Sequence, residues 1–344
     1  MTELDRLRAE IDKVDEELFK LFFRRLELVS EVGKFKKAKG LPVTDQRRED
    51  EVREKWRGMA RRYGIPEVLA DNLLSTIFTV AKMRELGPSE RRKVTIVGYG
   101  GMARSLASLF KLAGHEVVIT GRNLEKSEKL AKEFGFTTMP VPHALQWGEM
   151  ILLALPPEGV FSDSMSKYLH AASGKTVMDI LSSKQSSFRE LERTSEREKF
   201  RFVSTHPLFG PYLNPVGEKI ALIPSSTSGD IQDVHKFWTD VGLSVVVTDL
   251  DTHERAMALV QVLPHFYMIG LSRSLELLSR EMNVDFSNFE TTNFREVHRI
   301  AKRVRELEGV IMEIQRLNPY AKEARRIGLR ELNTLFSTFE QEKK

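Results

Sequence analysis

The 344-residue sequence contains no cysteine. That excludes disulfides, thiolate nucleophiles and cysteine-held metal, and it leads to the expectation of a cytoplasmic location and no metal centre. Long hydrophobic runs are missing too. The longest apolar stretch, near Met150–Leu155, is far too short to cross a bilayer, so no membrane partner is expected. The opening stretch MTELDRLRAE is polar and helical in pattern, unlike a secretory signal. Neither sign of charge dominates. With 53 basic against 49 acidic residues, the net charge of +4 argues against a nucleic-acid-binding face and suits small anionic substrates better. What is present is ample core material, and the length suggests two or three domains.

Three regions differ in pattern. Residues 3–86 read as helices only, residues 93–248 alternate strands with helices, and residues 249–344 are helical again. A breaker with charges, Gly87-Pro88-Ser89-Glu90-Arg91-Arg92, marks the first boundary. The second falls near Thr248–Thr252, after the strand-like run Leu243–Val247.

The first helix carries an apolar stripe at spacings of three and four, from Leu4, Leu7 and Ile11 through to Val32 and Phe35. A helix this long cannot bury its stripe alone and calls for a partner helix from a second chain. Arg25 falls where the register 18, 25, 32 demands an apolar residue. A buried guanidinium needs a partner, because desolvation costs several kcal/mol. Lys36 lies eleven residues on, which returns nearly to the Arg25 azimuth at about 100° per residue. Arg8 lies seventeen residues back, about 25 Å along the axis at ~1.5 Å per residue. It can share one small ligand with Arg25 only from an antiparallel partner helix. After Leu41-Pro42-Val43-Thr44 breaks the helix, Asp45 stands at an N-cap position, with Arg48 and Glu49 in the first turn behind it. The third helix is expected over about Pro66–Arg84, with Glu85 next.

LRAEID, DEEL, RRLELVSEVGKFK and PVTDQRRED, in this order, resemble the all-helical dimeric chorismate mutases over about residues 4–86. The resemblance implies an intertwined homodimer that binds chorismate. It implies that Arg8 reaches the partner's site and that Arg25, Lys36, Asp45, Arg48, Glu49 and Glu85 complete each site. Ala81 stands where some members carry a serine. Arginines suit a dicarboxylate because they clamp it bidentately. The pericyclic rearrangement needs no nucleophile, only a held conformer and a donor to the ether oxygen. Lys36 is the first candidate for that donor, and Glu85 can donate there only when protonated.

The second region opens on the apolar strand Lys93–Val97, followed by Gly98-Tyr99-Gly100-Gly101-Met102-Ala103 and a helix over Arg104–Ala113. This G-x-G-x-x-A between strand and helix reads as a dinucleotide-binding turn. The next strand, Glu116–Thr120, ends in Gly121-Arg122, where NAD enzymes usually place an acid. Arginine there favours a 2′-phosphate, so NADP is expected ahead of NAD. Further strands are expected over Ile151–Leu155, Thr176–Met178 and Phe200–Ser204, with Thr205-His206-Pro207 coming after the last, at the strand end. A histidine at such a strand end is a candidate catalytic group.

VGYGGMA, DILSSK, THPLFGP, HERAMALVQVLPHF and TTNFRE resemble the prephenate and arogenate dehydrogenases over residues 93–340. The resemblance implies that His206 is the base, that Ser182 hydrogen-bonds it or the substrate hydroxyl, and that Arg295 clamps the ring carboxylate of prephenate. His253 and His265 lie in matching stretches and receive no chemical role. Pro264 is expected to kink a long helix around His265. Ala103 in place of the commoner third glycine, and Gly121-Arg122 in place of an acidic strand end, depart from the pattern.

The expected architecture is therefore multi-domain. An all-α intertwined mutase domain (1–88) precedes an α/β Rossmann-type domain (93–248) and an all-α C-terminal substrate and dimerisation domain (249–344). The expected function is conversion of chorismate to prephenate and then to 4-hydroxyphenylpyruvate. The rival readings are a mutase fused to an arogenate dehydrogenase and a non-catalytic NADP-sensing regulator. The latter has no use for Arg25, Lys36 and Glu49 together with His206 and Arg295.

Overall fold

A computed structural model describes residues 2–39, 45–86 and 90–341. The two breaker segments, 40–44 and 87–89, lie outside the described residues. In chain order the α-helices and strands are α1 (Glu3–Ala38), α2 (Gln46–Tyr63), α3 (Glu67–Leu86), β1 (Lys93–Val97), α4 (Gly101–Ala113), β2 (Glu116–Thr120), α5 (Leu124–Phe134), β3 (Thr137–Thr138), α6 (Val141–Trp147) and β4 (Met150–Leu153). Then come α7 (Pro157–Val160), α8 (Asp163–Tyr168), β5 (Thr176–Asp179), α9 (Gln185–Glu198), β6 (Arg201–Pro207), β7 (Lys219–Pro224), α10 (Gln232–Asp240) and β8 (Ser244–Val247). The chain closes with α11 (Leu250–Met257), α12 (Leu263–Glu281), α13 (Thr292–Glu306), α14 (Glu308–Leu317) and α15 (Ala321–Gln341). Two compact units alternate along the sequence. One comprises residues 1–154, 207–220 and 230–245, the other residues 155–206, 221–229 and 246–344.

In the first unit, α1 and α2 both pack on α3. Leu26 of α1 and Leu74 and Ile77 of α3 are buried there. Asp71 of α3 accepts from Arg57 of α2 at 2.9 and 3.2 Å, which fixes the helices' register. Asp45 caps α2 as expected, its Oδ1 accepting the Arg48 N–H at 3.0 Å. The α1 stripe stays uncovered within the chain, its members from Leu4 to Phe35 being 46–65% exposed. Burying one such side chain is worth ~1.5–3 kcal/mol, so the uncovered face is a large unspent stabilisation.

The same unit holds the parallel strands β3-β2-β1-β4. Their residues are almost continuously apolar, as strands covered on both faces must be. Because β2 and β4 flank β1 on opposite sides, the chain reverses direction around the end of β1, where doubly wound sheets bind ligands.

In the second unit, β5 and β6 pair in parallel. β6 runs three residues past the expected end at Ser204, so His206 and Pro207 belong to the strand itself. A π-helical turn over Ala258–Val262 separates α11 from α12. Pro264 therefore sits in the first turn of α12, directly after the π turn, where its missing N–H costs nothing. The Gln315 amide donates to the Val262 carbonyl at 2.6 Å and is itself held by Arg325.

Candidate active site

The turn after β1 is built for close approach. Gly98 has φ +136°, and a Cβ there would stand 2.1 Å from the Ala154 carbonyl oxygen. A Cβ on Gly101 would meet Pro211, and one on Gly121 would press on the Tyr99 ring. Ala103 is buried, its small side chain letting α4 settle on the sheet. Gly100 caps α4 without a side-chain hydrogen bond, so first-turn N–H groups remain for a ligand. Nothing occupies the space above Gly100 where a Cβ would project. These features fit a dinucleotide pyrophosphate. Tyr99 is half-buried, and Met102 follows it in the first turn of α4. Arg122 is exposed just before Asn123, the N-cap of α5. Lys126 of that helix lies 5.9 Å over the Tyr99 ring and places a second cation beside this turn.

The helical region presents its candidates on two elements. Arg25 and Lys36 are half-buried on α1, and Arg8 is exposed near its start. Asp45 caps α2, Glu49 is half-buried in its first turn, and Arg48 pairs with Glu51 at 3.2 Å. Ala81 is buried on α3. Glu85 falls within α3, but its side chain lies outside the described residues.

A buried polar cluster lies in the second unit. Asp179 ends β5, and its carboxylate accepts from Ser204 Oγ at 2.6 Å, Leu181 N at 3.2 Å and Thr205 N at 3.3 Å. Lys184 Nζ donates to Asp179 Oδ2 and to the Thr205 carbonyl, each at 2.6 Å. These bonds tie the ends of β5 and β6 together and fix the strand on which His206 sits. His206 is buried, and its Nδ1 lies 2.9 Å from Nε2 of His253 on α11. Among the described residues its Nε2 has no hydrogen-bond partner, which leaves that nitrogen for a substrate. Burial holds the His206 pKa well below the usual histidine value, and the Lys184 charge and His253 add to this. Its imidazole is therefore neutral at neutral pH and ready to accept a proton.

Glu254, next to His253, is wholly buried. It accepts the Lys184 N–H at 2.6 Å on Oε1 and the Asn318 amide at 2.9 Å on Oε2. Asp179, Lys184, Glu254 and Asn318 received no role from the sequence, and His253 was noted in its motif without a chemical role. The first two were visible as charges in DILSSK after an apolar strand. The pairing of His253 with His206 had no local signal.

Two expected members do not join this cluster. Ser182 is half-buried and makes no hydrogen bond to His206. Its neighbour Lys184 takes the interior position instead. Arg295 is exposed in the first turn of α13, 3.7 Å from Glu290. His265 is half-buried, and among the described residues its Nδ1 has no hydrogen-bond partner.

Comparison with known proteins gives three family matches along the chain. Residues 7–86 match the family profile of chorismate mutase type II. Residues 93–183 match that of NADP oxidoreductase coenzyme F420-dependent, and residues 249–343 match the prephenate dehydrogenase dimerization domain. The chain is 26% identical over 298 residues to a T-protein of Enterobacter agglomerans, covering 83% of this chain and 74% of that one. It is 29% identical over 232 residues to a protein of Methanocaldococcus jannaschii described as "Probable arogenate/prephenate dehydrogenase". That match covers 65% of this chain but spans only 49% of the relative's length. Among solved structures, prephenate dehydrogenase from A. aeolicus in complex with hydroxyphenyl propionate and NAD+ shares the fold. Its TM-score is 0.59 at 24% identity, covering 74% of this chain and 94% of that one. Synechocystis arogenate dehydrogenase aligns with TM-score 0.54 at 19% identity, over 73% and 94% of the two chains. The chain thus carries a chorismate mutase type II match ahead of a prephenate dehydrogenase dimerization match, and its similarity to T-proteins supports a fusion of the two.

Proposed function

We propose that the chain rearranges chorismate to prephenate in its helical N-terminal region. The rest of the chain then oxidatively decarboxylates prephenate to 4-hydroxyphenylpyruvate. The observation that carries the second step is a buried, neutral His206, pinned through Nδ1 and free at Nε2.

In the first step Arg8 of one protomer and Arg25 and Arg48 of the other clamp the two carboxylates. Lys36 donates to the ether oxygen, assisted by a protonated Glu85, while Asp45 and Glu49 fix the rest of the ligand. No side chain changes protonation during the rearrangement. The exposed stripe of α1 supports a homodimer as the working unit.

In the second step His206 Nε2 accepts the proton of the substrate's 4-hydroxyl, and Ser182 steadies that hydroxyl. The nicotinamide, when bound, supplies the hydride acceptor for C4. Loss of carbon dioxide sends its bonding pair into the ring, which becomes aromatic, and His206 returns the proton to the phenolate oxygen. Arg295 holds the ring carboxylate until it leaves. The Gly98–Ala103 turn holds the pyrophosphate, and Gly121, Arg122 and Lys126 favour NADP over NAD through the 2′-phosphate. The absence of cysteine and the small soluble metabolites fit a cytoplasmic enzyme. We take residues 1–88, 93–248 and 249–344 as the mutase, cofactor-binding and substrate domains.

The test supplies chorismate with NADP, or with NAD, to the purified full chain. Reduced cofactor and 4-hydroxyphenylpyruvate should form together, faster with NADP. Parallel assays with prephenate and with arogenate decide the second substrate. Faster turnover of arogenate would replace prephenate in this reading, and no reduced cofactor with either would overturn it.

A further inference from the structure

The His206–His253 contact has two neutral proton arrangements, and only one leaves His206 able to act as a base. If His253 Nε2 carries the proton, it donates to His206 Nδ1. His206 is then protonated at Nε2 and cannot accept there. If His206 Nδ1 carries the proton, Nε2 is bare, and His253 must carry its own proton at Nδ1. That Nδ1 is buried and, among the described residues, has no hydrogen-bond partner. It faces Glu254 Oε1 at 3.6 Å, too long for a hydrogen bond but close for a charge in a dry interior. A proton at His253 Nδ1 is attracted to that carboxylate, whereas a lone pair there is repelled by it. Glu254 therefore selects the useful arrangement.

Glu254 is itself immobilised. The Lys184 N–H holds Oε1 at 2.6 Å. The Asn318 amide holds Oε2 and the Glu254 carbonyl, both at 2.9 Å. Asn318 Oδ1 in turn accepts the Tyr320 N–H at 2.9 Å, which orients the amide. Lys184, Asp179, Glu254 and His253 are the charged and titratable groups grouped around His206, and all are buried.

We propose that Glu254, fixed by Lys184 and Asn318, is a positioning residue. Acting through His253, it sets the His206 tautomer that keeps Nε2 free for the substrate proton. When His206 takes that proton, its Nδ1–H stays on His253 and the new positive charge is stabilised by the carboxylate beyond. The inference rests on His206 as the base of the dehydrogenase step.

The test reads tautomer and turnover separately in the full-length protein. Long-range proton–nitrogen correlation spectra of histidine-labelled protein report the protonated nitrogen of His206, assigned by the signals missing in His206→Asn. The wild type should show Nδ1–H. Glu254→Gln should raise the Nε2–H fraction and lower dehydrogenase kcat by about 10- to 100-fold, with KM changed little. A second pair of variants does not depend on how Glu254→Gln folds. His253→Gln, whose amide oxygen can accept from His206 Nδ1, should retain more kcat than His253→Leu. The proposal is overturned by a wild-type His206 protonated at Nε2. It also fails if Glu254→Gln changes neither tautomer nor kcat, or if the two His253 variants are equal. The tautomer is read without substrate. A protein that lacks dehydrogenase activity yet shows the expected tautomer shift refutes the assigned reaction and leaves the positioning role standing.

Discussion

Lys184 Nζ lies 2.6 Å from Asp179 Oδ2, and neither side chain reaches solvent. Burial pushes the Lys184 pKa down, while the Asp179 charge opposes that shift. Lys184→Met leaves Asp179 buried without its cation and should cost about 3–5 kcal/mol in chemical denaturation. Adding Asp179→Asn should recover part of that loss. A single variant as stable as wild type would show that the pair does not hold the strand ends.

The pH dependence of the dehydrogenase follows from the same burial. An ordinary histidine loses its proton near 6.5, but His206 is held well below that value. Because the base works neutral, turnover should stay level from neutral pH upward and fall only well below 6.5. His206→Asn should reduce turnover about 10²–10⁴-fold while the mutase rate persists. Near-normal turnover in that variant would remove His206 from the mechanism.

Arg122 is exposed before α5, and neither Thr120, which ends β2, nor Gly121 after it is acidic. Arg122→Asp should reverse the ratio of kcat/KM for NADP over NAD. A wild-type enzyme that already prefers NAD strongly would refute the role of Arg122.

A mutase site shared between protomers can be tested by complementation. Arg8 and Arg25 stand about 25 Å apart along α1 at ~1.5 Å per residue. Arg8→Ala and Arg25→Ala homodimers should each be impaired at both sites. Mixed dimers place both changes in one site and leave the other intact, so refolding the two together should restore part of the activity. Mixed dimers that form but stay inactive would rule out sharing.

Acid should weaken the first unit through His115. This buried ring stacks on Phe237, and its Nδ1 accepts the Arg92 N–H at 3.3 Å. Burial pushes its pKa down to about 4, against 6.5 for the ordinary side chain. The unfolded chain therefore takes up the proton first. The contribution of a neutral His115 is complete above 6.5 and is lost as pH falls from 6.5 through about 4. Denaturation at several pH values should show a shallower acid decline in His115→Phe. An unchanged slope would assign the decline to other groups.

Local order was written in the chain. The β1–turn–α4 unit follows from an apolar run, glycines with no room for a Cβ and a helix start, all within about twenty residues. The α1 stripe and the Asp45 cap are equally local, because helical periodicity and capping involve residues a few positions apart. The extent of β6 was not, because sheet pairing carries the strand through Pro207. Nor was the π turn ahead of Pro264, since Gln315, 53 residues from Val262, satisfies its carbonyl. The catalytic cluster divided in the same way. His206 was legible from its motif. Its partner His253, 47 residues away, and the Glu254 anchor Asn318, 64 residues further on, were not. Motifs fix which groups can do the chemistry. Only packing decides which buried polar groups must satisfy one another, and that set the proton arrangement of His206 and left Ser182 and Arg295 outside its hydrogen bonds.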